Sequence, residues 1–81
     1  MSLGLTTEEL RKLFEDEYIA TLNRRQIEQD KFAKELAIEG IPEIEAKRYA
    51  MYQIQQEATV QALLLTIQAN NARIEYQLQN K

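Results

Sequence analysis

The chain has 81 residues, with 13 acidic and 10 basic side chains and a net charge of −3. It contains no cysteine and no histidine, which excludes disulfides, the common zinc sites and any catalysis built on a thiol or an imidazole. The mild acidity gives no electrostatic reason to approach nucleic acid or an anionic membrane.

Residues 1–5 carry neither a basic stretch nor an apolar run of the kind an export signal needs, so a cytoplasmic location is expected. Thr6 then reads as a helix N-cap, with Glu9 at the capping-box spacing. Leu5 and Leu10 stand at the two staple positions, and Glu8 and Glu9 lie where the helix dipole favours acids. The next breaker is Gly40. With Gly40 at C′, Leu36 and Ile41 occupy the two positions that meet in a Schellman motif. This spacing predicts helix 1 over 7–39 and a turn at 40–41. Pro42, the only proline, opens helix 2 from its first position, and that helix is expected over 42–78.

Two long helices with a minimal turn make one all-α domain over 1–81, a long antiparallel helical hairpin. Residues at one level of such a hairpin have numbers summing to about 81 or 82.

Both helices carry two apolar faces. In helix 1 the main face holds Leu10, Phe14, Tyr18, Leu22, Phe32, Ala33 and Leu36. A thinner stripe opposite holds Leu13, Ala20, Ile27 and Ile38. In helix 2 one face holds Ile44, Met51, Ile54, Ala58, Ala62, Leu65, Ala69, Ala72 and Tyr76. The other holds Tyr49, Val60, Leu63, Ile67, Ile74 and Leu78. A hairpin by itself buries one face per helix, and a helix apolar all round is a buried helix. At this length, without metal or cross-links, a partner is the remaining source of stability. The expected state is a homodimer closing into a four-helix bundle; the alternative is that the second apolar face awaits a different protein. Its subunit interface is assigned to Val60, Leu63, Leu64, Ile67 and Ile74. Ala58, Ala62, Ala69 and Ala72 share an arc and are expected at the closest helix–helix contact.

Polar residues interrupt this pattern. The level rule places Arg25 beside Glu57, giving a hairpin ion pair inside the seam, and Arg73 beside Glu8 or Glu9 at the open end. Asn70 and Asn71 are read as facing solvent or starting the fraying of helix 2, the alternative being a buried asparagine that selects oligomer state. Tyr49 and Tyr52 are candidate partner anchors near the turn, since tyrosine is favoured at interfaces.

Chemistry finds little to work with. Thr21, Thr59 and Thr66 are mid-helix with no base to activate them. The run Glu15-Asp16-Glu17 diverges around its helix and does not converge on a metal. Gly4 and Gly40 cannot build a phosphate loop. No catalytic, cofactor-binding or metal-binding residue is assigned. The uncharged stretch from Ala58 to Ala72 is broken by Gln61, Gln68, Asn70 and Asn71, and it is too short to cross a membrane. Arg24, Arg25, Lys31, Lys34, Lys47 and Arg48 are interleaved with acids and form no patch for a phosphate backbone. The expected role is protein–protein interaction by a small adaptor, regulator or assembly component. The alternatives are a nucleic-acid-binding regulator and a filament or shell subunit.

Overall fold

The computed structural model describes residues 3–80, and every regular element among them is helical. Helix α1 spans Thr7–Arg24, α2 spans Gln26–Ile38 and α3 spans Glu43–Gln79. Helices α1 and α2 follow one another along α3 and scarcely touch each other. The result is a rod of 61 × 18 × 14 Å. Its radius of gyration is 17.7 Å, where a compact chain of this length would have about 12 Å.

The helix ends follow their local chemistry. Thr6 Oγ1 accepts from the Glu9 amide, and Glu9 Oε1 accepts from the Thr6 amide, each at 3.1 Å. This reciprocal box satisfies two N–H groups that would otherwise lack partners. At the other end of the first arm, Gly40 takes φ +103°. The Ile41 amide reaches the Leu36 carbonyl and the Gly40 amide reaches the Ala37 carbonyl, both at 3.1 Å. Those are the two bonds of a Schellman motif. Pro42 sits one position earlier than expected. Its ψ of 141° is extended, so it is the N-cap of α3, and its carbonyl accepts from Ala46 at 2.8 Å.

The single helix expected over 7–39 is two helices, broken at Arg25 (φ −100°, ψ 10°). Neither glycine nor proline is present there, so the cause is not a local breaker. It lies in how α3 is used. The buried residues of α3 are Ala46, Ala50, Ile54, Ala58 and Ala62, one at every fourth position. Four residues turn a helix by about 400°, so this row drifts around α3 by about 40° per step, or about 160° over its length. Such rows are inclined to the helix axis. One straight partner would leave the row, whereas two shorter helices joined at Arg25 can each follow it. Along the first arm Thr21, Arg25, Gln29 and Ala33 keep the same spacing across the break, and all are buried or half-buried.

The drift also corrects the expected inner face. Ala46 and Ala50 are buried, whereas Ala69 is half-buried and Ala72 exposed. Ile44, Met51 and Tyr76, assigned inward at a constant period, are exposed. Ile54 is the largest buried side chain, and most of the core is alanine. The chain exposes 6434 Å², against about 5,000 Å² for a compact monomer of this mass.

Candidate functional site

An open surface runs along the side of α3 turned away from α1 and α2. Four large apolar residues dominate it, Val60 (57% exposed), Leu63 (49%), Leu64 (52%) and Ile67 (54%). They lie within eight successive positions of a continuous helix, on the side opposite Ala58 and Ala62. Towards the turn the same side continues through Gln56 and Gln53 to Tyr52 and Tyr49, all exposed. Tyr49 and Tyr52 border a shallow apolar hollow with Glu45 and Arg48.

Ile74, grouped with this interface from its sevenfold spacing, is half-buried. It lies beside Gly4, where an added Cβ would stand 3.3 Å from Ile74 Cγ1. The residues that lead into α1 therefore cross the end of the stripe. Asn70 and Gln77 hold them there: Leu5 N–H donates to Asn70 Oδ1 at 2.8 Å and Gly4 N–H to Gln77 Oε1 at 2.7 Å. Asn70 is thus a clasp and not a solvated or fraying residue, while Asn71 is exposed. The expectation failed because Asn70 bonds to the backbone of residues 65 positions away, which helix propensity does not register. Arg73 and Glu9 add an ion pair at 3.7 Å at this end. The Glu9 carboxyl is held below its ordinary value, chiefly by the Thr6 amide, then by the Thr6 hydroxyl and to a smaller extent by Arg73.

Arg25 and Glu57 meet at the level of the helix break, and the Arg25 guanidinium lies against the buried Glu57 Oε2. Arg25 also holds Glu28 Oε2 at 2.7 Å, and Gln53 donates to the other Glu57 oxygen at 3.3 Å. The two charged side chains remain 32% and 38% exposed. Their pairing therefore contributes roughly 1 kcal/mol or less after screening, and it marks the level at which α1 hands over to α2. Beside it Thr21 is buried, donating to Glu17 Oε1 at 3.3 Å and accepting from Arg24 at 2.9 Å. The hydroxyls of Thr59 and Thr66 donate to the carbonyls of Gln55 and Ala62. These three threonines are committed to structural hydrogen bonds.

A second apolar area lies near the turn. Ala33 and Ala37 of α2 and Ile44 and Met51 of α3 line an open cleft with Ile38 at its mouth. Lys34, Lys47 and Arg48 stand on its rim together with Asp30 and Glu43. The mixed signs give it no electrostatic preference for a partner. It was missed because constant-period reading placed Ile44 and Met51 inside.

Among the described residues no group of three or more acidic side chains converges to hold a metal ion. No helix among them is long and apolar enough to cross a membrane. Compared with known proteins, the chain matches no family model, no curated protein and no solved structure.

Proposed function

We propose that this chain is a non-enzymatic, self-associating helical hairpin that works through protein–protein contacts, as a small adaptor, regulator or assembly component. One observation carries the reading: between Ala46 and Ile67 of α3 the buried residues are four alanines and one isoleucine, while larger apolar side chains stand exposed on the opposite side. Alanines fill the seam, while Val60, Leu63, Leu64 and Ile67 face solvent. The surface in excess of a compact monomer is about 1,400 Å², and a standard interface takes about 800 Å² from each partner. A second copy seated on that side, giving a four-helix assembly, is the economical cover for that surface. Large apolar side chains exposed side by side on one helix face, as Val60, Leu63, Leu64 and Ile67 are, are the kind of surface that serves as an interaction site.

The test is solution mass by light scattering over a wide concentration range, with helicity followed in parallel. The expected result is a dimer that stays helical on dilution. Leu63→Asp combined with Ile67→Asp should halve the mass. If the parent chain is a well-folded monomer at every concentration, the proposal fails. It also fails if the double variant keeps the parent's mass.

A further inference from the structure

We infer that the second copy packs parallel to the first, α3 against α3, over the stretch from Tyr49 to Ile67. The inference rests on the self-association proposed above and adds its orientation. On the outer face of α3, Tyr49, Gln56 and Leu63 repeat every seven residues, and Gln53, Val60 and Ile67 do the same. Together they form alternating three- and four-residue steps, the seam of a left-handed pair of helices. This seam differs from the four-residue row that α1 and α2 occupy.

Two features choose the orientation. The first is matching of like with like. In a parallel pair with a two-fold axis each layer faces its own copy. Val60, Leu63 and Ile67 then meet apolar side chains, and Gln53 and Gln56 meet amides. An amide both donates and accepts, so it pairs with itself. Gln53 and Gln56 each use one N–H within the chain, on Glu57 and Tyr52, which leaves a carbonyl oxygen and a second N–H for the partner. An antiparallel pair centred on the same stretch sets Gln53 against Leu63 and Gln56 against Val60. That buries amides against hydrocarbon, which is costly.

The second feature is the closed end of the stripe. Sliding the antiparallel pair by one heptad would recruit Asn70 and Ile74. Asn70 is already bonded to Leu5, and Ile74 lies beside Gly4. The parallel arrangement stops at Ile67 and needs neither.

The absence of cysteine makes the test clean. Single variants Gln53→Cys, Val60→Cys and Ile67→Cys are each oxidised alone, and Tyr49→Cys is mixed with Ile67→Cys. The expected result is that each single variant forms a cross-linked dimer by itself. The mixture should give links only between like variants. A spin label on Glu45→Cys, away from the seam layers, should report a distance between copies well under 30 Å, against on the order of 40 Å for the antiparallel pair. Cross-linking of Tyr49→Cys only to Ile67→Cys, or the long label distance, would overturn the orientation while leaving self-association intact. A chain that is monomeric by mass would overturn both.

Discussion

The two faces of α3 carry side chains of opposite size. Its inner face carries Ala46, Ala50, Ala58 and Ala62 around a single isoleucine, all buried. Its outer face carries valine, leucine, isoleucine and tyrosine in the open. Small residues let helices approach closely and gain dispersion contacts, but they remove little apolar area from water. The inner face therefore sets the geometry of the rod, and the outer face leaves large apolar side chains in water. Stability of the single chain and stability of the assembly should respond to different substitutions.

The strongest way to break this contrast is to enlarge an inner residue and trim an outer one. Ala58→Leu should destabilise the chain by about 3 kcal/mol through overpacking of a fully buried position. Leu63→Ala should leave the unfolding of the isolated, fully diluted chain within about 0.5 kcal/mol while weakening the assembly. Urea unfolding at low and high protein concentration measures both. Equal losses in the two variants would mean that the faces are not separable.

A smaller effect sharpens the comparison where the two faces meet. Gly4 has φ +87°, and a Cβ there would come within 2.4 Å of Asn70 Oδ1. Gly4→Ala should cost about 2 kcal/mol from backbone strain and the displaced clasp. Amide exchange at Leu5 should accelerate, with little change at Ala50. Unchanged protection of Leu5 would show that the clasp is not formed in solution.

The smallest expected effect is that of pH. The folded Glu9 carboxyl sits below its ordinary 4.5. Its contribution is therefore complete above pH 4.5 and declines as pH falls through the depressed folded value. Glu9→Gln keeps an acceptor for the Thr6 amide but does not titrate. Melting curves through this acidic range should show a weaker pH dependence for Glu9→Gln than for the parent chain. Identical slopes would mean that other carboxylates dominate.

What was legible in the sequence was local or fixed by register. The Thr6–Glu9 box and the Leu36–Gly40–Ile41 stop depend on residues a few positions apart, so their spacing was enough. Arg25 and Glu57 could be placed at one level because a short turn fixes which residues face each other. The break at Arg25 was not legible. It follows from the inclined row on α3, a property of the packed pair and not of residues 20–30. The same row displaced the alanine face from Ala69 and Ala72 to Ala46 and Ala50, because a constant period cannot reveal drift. Ile74 followed the outer repeat by spacing, yet it is partly covered by Gly4, residues that a periodicity analysis never brings together.

The break at Arg25 also divides the first arm into two pieces that hold α3 separately and scarcely hold each other. Loss of one piece need not carry away the other. The turn half, closed by α2, and the open half, clasped through Asn70 and Gln77, are then two cooperative units on one backbone. Amide exchange should resolve two opening energies along the first arm, with the step in protection falling at Arg25. An unbroken helix over 7–39 would instead open as one piece, so the joint that lets the arm follow its groove also sets the grain along which the rod comes apart.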